Sequence, residues 1–271
     1  MGEAGMAGRS KLPVMATMKL AYRYLFGHLG NLARLAWPWV ALVALWEFAV
    51  IASADDASWV IKARDPVTKI ALFVGAIATA VAWHRAILLD EPVSWIPRFR
   101  QHEWRYLWTS VKLSLLLAIP AILFTLIYAF QLSTMVASVA KQSGTAAAIG
   151  LSAIIFGSFS LLLVVLSAAV QLAFPAAAIG APMKLFDSLD KTKDNVWRLL
   201  ACWVLVVAPY YLVGTIVRLV ADLSGASVAL EHVSAIAGAA WVLLGAALAA
   251  GTLSFSFGFL TAAPPDAQPA T

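Results

Sequence analysis

The chain has 271 residues, of which 62% are apolar and only 12% are charged, and its formal net charge is +5. A soluble domain is about half apolar and roughly a quarter charged, and it cannot hide this much apolar surface, so the composition excludes an ordinary soluble fold. The single cysteine, Cys202, excludes an internal disulfide and a cysteine-based zinc or iron–sulfur site.

Six apolar stretches are long enough to cross a bilayer, which takes about 20 residues of helix. The sequence therefore predicts an all-α, polytopic membrane fold with spans at Leu35–Ser53, Ile70–Leu89, Leu107–Ala129, Ala147–Pro175, Val196–Leu219 and Ile236–Leu260. Pro120 and Pro209 predict kinks in spans three and five. The expected organisation is a cytoplasmic tail with an interfacial helix over 1–34, a six-span domain over 35–260, and a short disordered cytoplasmic tail over 261–271.

A polar segment of mixed charge precedes each odd-numbered span, at Val14–Asn31, Trp95–Arg105 and Met183–Asn195. These segments are typical of amphipathic helices that lie in the headgroup layer. Each leads through a polar residue and an arginine into its span, so we expect headgroup anchoring by Arg34, Arg105, Arg198 and Trp197. The similarity favours three copies of one unit, made of an interfacial helix, a span, an outer loop and a returning span. The alternative is that the three segments are not repeats, because arginine and tryptophan are common at the start of any transmembrane span.

The distribution of positive charge predicts the orientation. Fourteen of the 19 Lys and Arg residues fall before span one, between spans two and three, or between spans four and five. The positive-inside rule then places these segments and both termini in the cytoplasm. Because the basic residues flank apolar spans, attraction to anionic phospholipid headgroups accounts for them, and no nucleic-acid partner is expected.

Ionisable residues inside a span are costly and are therefore functional candidates, and the sequence offers Glu47, His84 and Arg85. Glu47 is a candidate proton or cation site facing the bundle interior, although it is near enough to the end of span one to reach the interface instead. His84 as a haem or metal ligand would need a second histidine, which no other predicted span supplies, so no cofactor or metal is expected. Arg85 is expected to snorkel or to pair with an acidic residue just beyond the span.

Small residues mark one face of span six. Gly238 and Gly245 are seven residues apart, as are Gly251 and Gly258, so each pair shares a helix face. Such faces are typical of close helix packing or of contact with a partner subunit. The alternative is that these glycines line a path together with the serines of spans four and six, namely Ser152, Ser158, Ser160, Ser167, Ser254 and Ser256.

The segment from Lys184 to Leu200, KLFDSLDKTKDNVWRLL, carries a family resemblance. It resembles the bacterial polytopic membrane domain found beside glycerophosphodiester phosphodiesterases, and its stand-alone α-proteobacterial relatives of undefined function. The AWHR sequence over 82–85 and the LLDEP sequence over 88–92 are similar to those stand-alone members, whereas Leu189 departs from the tryptophan usual there. The resemblance implies a multi-pass protein of the bacterial inner membrane in a scaffold or membrane-homeostasis role. It implies no hydrolase.

The sequence contains no motif that identifies catalytic residues. The sequence contains no phosphate-cradling glycine-rich loop, no zinc-protease helix motif and no Gly-x-Ser-x-Gly elbow. We therefore expect a non-enzymatic inner-membrane protein: a scaffold, an accessory subunit or a lipid and membrane-homeostasis factor. Its expected partners are the bilayer, anionic phospholipids, and another membrane protein or a second copy. The alternative is a small-solute or ion transporter or channel that uses Glu47 and the polar faces of spans four and six. An intramembrane enzyme is the least favoured hypothesis.

Overall fold

The computed structural model describes residues 11–53, 58–95, 99–181, 183–223 and 228–261. The described residues form α-helices, one π-helical turn at Tyr128–Leu132, and no strand. The helices are α1 (Val14–Gly27), α2 (Leu29–Ala52), α3 (Ser58–Leu88), α4 (Gln101–Ile127), α5 (Ser133–Ser143), α6 (Thr145–Val170), α7 (Ala173–Ile179), α8 (Leu185–Thr192), α9 (Val196–Leu223) and α10 (Val228–Thr261). Six stretches of these helices are long and apolar enough to cross a membrane, which confirms the predicted all-α, six-span fold. The predicted tails lie outside the described residues over 1–10 and 262–271.

Several helices run beyond the apolar stretches that predicted them. Span three was predicted to end at Ala129, but helical structure continues through the π-turn to the end of α5 at Ser143. Hydropathy marks where apolar side chains stop, whereas a helix stops where its backbone hydrogen bonds stop. The hydroxyls of Ser133 and Ser138 donate to the carbonyls of Ala129 and Met135, so polar residues continue this helix without breaking it.

Short helices precede two of the three odd-numbered spans. They are α1 ahead of α2 and α8 ahead of α9. The prediction of a helix over Trp95–Arg105 is wrong at Trp95, Phe99 and Arg100, which are not helical, because α4 begins only at Gln101; residues 96–98 lie outside the described ranges. Prolines at 92 and 97 in that segment lack the amide hydrogen that a helix needs. The Arg100 amide donates to the Glu103 carboxylate at 2.7 Å, and this bond caps the start of α4.

The core of the bundle lies where α1, α2, α3, α9 and α10 meet. Its buried side chains come from all five helices and are Leu25, Leu32, Ala80, Trp83, Val206, Ala247, Leu248 and Ala250. Helix α1 packs Thr17, Ala21 and Leu25, one turn apart, into this core, while its Met15 and Phe26 are exposed. Helix α1 is therefore a packed part of the bundle.

Helices α4, α5 and α6 form a hairpin at the side of this core. No residue in the most apolar window of α6 is buried, and Leu113 is the buried residue of α4. The two arms are joined by aromatic contacts, including Phe124 stacked on Phe159 with ring centroids 4.0 Å apart. The hairpin therefore presents most of its apolar surface outward.

We use the term basic end for the end of the bundle where α2, α4 and α9 begin and α3, α7 and α10 end. The N-terminal segment is attached there through the fully buried Leu12. The Leu12 amide donates to Asn195 Oδ1 at 2.8 Å, and its carbonyl accepts from Arg198 Nη1 at 2.9 Å. These bonds satisfy both backbone groups of a buried residue, which would otherwise be costly.

The four glycines predicted on α10 have different surroundings. A Cβ built on Gly245 would lie 2.6 Å from the Tyr210 ring of α9, one on Gly251 would lie 3.5 Å from the Trp83 indole nitrogen, and one on Gly258 would lie 3.9 Å from Leu88. Nothing lies within 4 Å of a Cβ on Gly238. Gly245 thus permits the closest approach of the four.

We predict that Gly245→Ala destabilises the protein by about 1–3 kcal/mol through overpacking. Tyr210 has no room to yield, because its ring stacks on Trp241 at 4.7 Å and its hydroxyl donates to the Trp241 carbonyl at 2.8 Å. Gly238→Ala on the same helix is the matched control, which we expect to be neutral or stabilising by up to about 1 kcal/mol. Unfolding by SDS in mixed micelles measures both changes, and equal effects of the two substitutions would contradict the prediction.

Candidate functional site

A buried charge cluster, the Glu47 cluster, joins three helices near the end of the bundle opposite the basic end. It consists of Glu47 of α2, Arg64 of α3 and His232 of α10. Glu47 is 1% exposed, and its Oε2 lies 2.6 Å from His232 Nδ1 and 3.0 Å from Arg64 Nη2. Arg64 Nε also donates to both carboxylate oxygens, at 3.2 and 3.1 Å. Glu47 therefore faces the interior with its charge paired.

Sequence reasoning identified Glu47 but missed both of its partners. The sequence predicted no second histidine in a span, because the apolar run of span six begins only at Ile236; this prediction is wrong, since α10 begins at Val228 and His232 is buried in it. Span six therefore contains His232, in addition to His84 in span two. The sequence does contain a signal for the burial of His232: it lies four residues before Ile236, so in a helix the two side chains share one face.

The second predicted residue, His84 of α3, is fully buried inside the bundle. Its Nδ1 lies 2.7 Å from Ser254 Oγ of α10, and its Nε2 has no hydrogen-bond partner among the described residues. The ring of Tyr106 lies 5.8 Å away, centroid to centroid. His84 thus links α3 to α10, and His232 pairs with Glu47 rather than with His84.

The third predicted residue, Arg85, lies at the basic end and is bound on two sides. Its guanidinium forms a salt bridge with both oxygens of Glu91, and its Nη1 donates to the Ala178 carbonyl of α7 at 2.9 Å. The hydrogen bonds from Arg85 hold the pKa of Glu91 below its usual value. Arg85 therefore attaches the segment after α3 and the end of α7 to the bundle.

A cavity of about 360 Å³, the arginine pocket, opens beside Arg85. Its charged and polar lining comes from α2, α3, the segment that leads into α4 and the first turn of α4: Arg34, Arg85, Glu91, Ser94, Arg100, His102 and Glu103. Its apolar lining is Leu35, Trp39, Ala78, Ala82, Pro92 and Val93. The Arg34 guanidinium stands over the Trp95 ring, 4.9 Å from its centroid, which favours a defined position for Arg34.

The other predicted headgroup anchors have different environments. Trp197 is 64% exposed, whereas Arg198 reaches back to the Leu12 carbonyl. The Arg105 guanidinium lies 3.0 Å from the position of a Cβ on Gly180, a glycine that ends α7 with a φ of +77°. Trp197 and Arg105 are therefore exposed, whereas Arg198 is partly buried.

The serines of spans four and six do not meet. Ser254 and Ser256 of α10 are buried, and the Ser256 hydroxyl donates to the Thr252 carbonyl in its own helix. Ser158 and Ser160 of α6 are exposed. Helix α6 packs mainly on α5, α8 and α9, so the two sets lie on different surfaces.

Within the described ranges, no three His, Cys, Asp or Glu side chains come close enough together to hold a metal ion. No family model, curated protein or solved structure matches the chain. The resemblance of 184–200 to the phosphodiesterase-associated membrane domain stays a prediction.

We predict that Glu47 and Arg64 are strongly coupled. In a double-mutant cycle of Glu47→Gln and Arg64→Gln, each single change leaves the other group partly unpaired in the interior, so the interaction free energy should be about 0.5–3 kcal/mol. SDS unfolding of the four proteins gives this value.

The control for this cycle is the ion pair of Asp65 and Lys69 on α3, whose side chains are 79% and 77% exposed. A cycle of Asp65→Asn and Lys69→Gln should give no more than about 0.5 kcal/mol, because water screens exposed pairs. A coupling between Glu47 and Arg64 no larger than this control would contradict a structural role for the cluster.

Proposed function

We propose that this chain is a non-enzymatic protein of the bacterial inner membrane that organises lipid or assists another membrane complex. One observation carries the proposal: the buried ionisable side chains are engaged in contacts between helices, with Glu47 held by Arg64 and His232, and His84 held by Ser254. Among the described residues, these buried groups connect helices, and none of them lines the arginine pocket, where a nucleophile and a base for covalent catalysis would have to meet a substrate.

The outward apolar surface of the α4–α6 hairpin supports the same proposal. Side chains such as Ile122, Phe130 and Ile154 are exposed on it, so no described part of the chain covers them. A polytopic protein satisfies such a surface with acyl chains or with the helices of another membrane protein. An accessory or lipid-organising role uses this surface directly.

The proposed orientation puts the basic end in the cytoplasm. Arg34, Arg85, Arg100, Arg105 and Arg198 lie at that end, and cations favour the inner leaflet, with its anionic lipids. The resemblance of 184–200 to a bacterial inner-membrane domain agrees with this placement. Both termini would then be inside.

We expect the chain extracted in a mild maltoside detergent to retain anionic phospholipid or a specific membrane-protein partner. Mass spectrometry of lipids and proteins after affinity purification checks this. The control is an unrelated six-span protein purified in parallel from the same membranes. A bare monomer with no more lipid than the control would overturn the proposal.

The alternative is transport of a small solute or ion through Glu47, and the interior position of this carboxylate favours it. A buried acid that exchanges partners is a feature of proton-coupled carriers. Breaking the contacts with Arg64 and His232 would free the carboxylate to take a proton.

If the chain conducts protons, Glu47→Gln should abolish uptake in proteoliposomes containing a pH-sensitive dye under an imposed potassium diffusion potential. Asp65→Asn, which removes an exposed carboxylate near the same end of α3, should leave uptake unchanged. Parent and Glu47→Gln proteins that give the same trace as empty liposomes would exclude the proton-conducting form of this alternative.

A further inference from the structure

The arginine pocket combines positive charge with an apolar wall. Arg34 from α2, Arg85 from α3 and Arg100 ahead of α4 line one cavity of about 360 Å³. This volume falls in the range of small-ligand sites, roughly 300–1,000 Å³. Leu35, Trp39 and two alanines of α3 form the apolar wall.

The carboxylates of the lining are already engaged. Glu91 is bound by the Arg85 guanidinium, and Glu103 accepts the backbone amide of Arg100. Among the described residues, no carboxylate lies within salt-bridge distance of the guanidinium of Arg34 or Arg100. Among the described residues, the pocket therefore brings three arginines together with two carboxylates, and neither Arg34 nor Arg100 forms a salt bridge there.

The position of Arg34 leaves its donors available. The Arg34 Cζ stands over the Trp95 ring, 4.9 Å from its centroid, and the N–H groups of a guanidinium lie in its plane and point along its edge. Guanidinium edges match the oxygens of a phosphate group with paired hydrogen bonds. Arg34 is thus held at the pocket by Trp95, and no described carboxylate forms a salt bridge with it.

We infer that the arginine pocket binds a phosphate-bearing anion, with Arg34 and Arg100 as its ligands and Arg85 held at the site by Glu91. The source is either the headgroup of an anionic phospholipid or a free phosphate compound. The apolar wall suits a lipid, whose glycerol and first acyl carbons follow the phosphate. This inference rests on the proposed lipid-binding role and gives it a defined site.

The test uses the full chain after delipidation in maltoside. The protein is titrated with phosphatidylglycerol or with phosphatidylcholine, and native mass spectrometry measures the bound lipid. We expect one site that prefers phosphatidylglycerol by about tenfold or more. Arg34→Gln and Arg100→Gln should each weaken binding by about tenfold, the loss expected for one charge-assisted hydrogen bond.

Arg23→Gln is the matched control. Arg23 is an exposed arginine of α1 outside the pocket, so its loss should change binding by less than about twofold. A second variant, Ala82→Leu, fills the apolar wall without removing charge and should also weaken binding. Arg34 is exposed with no described carboxylate partner, so Arg34→Gln should keep the parent's elution volume and helicity.

Calorimetry with inorganic phosphate and with glycerol 3-phosphate separates the two sources. Binding of either that is lost in Arg34→Gln assigns the site to a free phosphate group, whereas binding of phosphatidylglycerol alone assigns it to a lipid. Equal affinity for both lipids without phosphate binding, or equal losses in Arg34→Gln and Arg23→Gln, would overturn the pocket. Lipid that co-purifies with parent and Arg34→Gln alike would overturn the pocket but leave the proposed function standing.

Discussion

The hydrocarbon of a bilayer solvates neither peptide groups nor charges, and this constraint shapes the structure. Backbone groups must bond within their own segment, so the spans are helices. Hydroxyl side chains meet the same demand locally, as where Thr125 and Ser133 donate to carbonyls one turn back. Charges must be paired inside the bundle or placed at its ends. The described residues show both solutions.

The two ends of the bundle use charge differently. In the Glu47 cluster, one carboxylate with 2% of its side chain exposed is matched by an arginine and a histidine from two other helices. At the basic end, arginines from several segments converge on an open cavity, and Arg34 and Arg100 form no salt bridge with a described carboxylate there. The first arrangement holds α2, α3 and α10 together. The second places more positive than negative side chains around a cavity, which favours an anionic ligand.

Packing in a membrane cannot rely on the hydrophobic effect, because lipid tails are as apolar as leucine, so close contact takes its place. Gly75 admits the Trp39 ring to within 2.7 Å of where a Cβ would stand, and Gly245 admits Tyr210 in the same way. Such contacts join α2 to α3 and α9 to α10. The α4–α6 hairpin has few of them and stays at the side of the core with its surface free for lipid or a partner.

The sequence by itself determined that the chain lies in a lipid bilayer, how many spans it has and which residues are costly to bury. It could do so because hydropathy and charge are local properties. It identified Glu47, His84 and Arg85 as polar residues in or near spans. Only the tertiary structure decided that Arg64 and His232 meet Glu47 and that Ser254 meets His84. It also brought Arg34 and Arg100 to one pocket. These pairs are separated by tens to nearly two hundred residues, and their contacts depend on which helix faces turn toward each other, which no local pattern specifies.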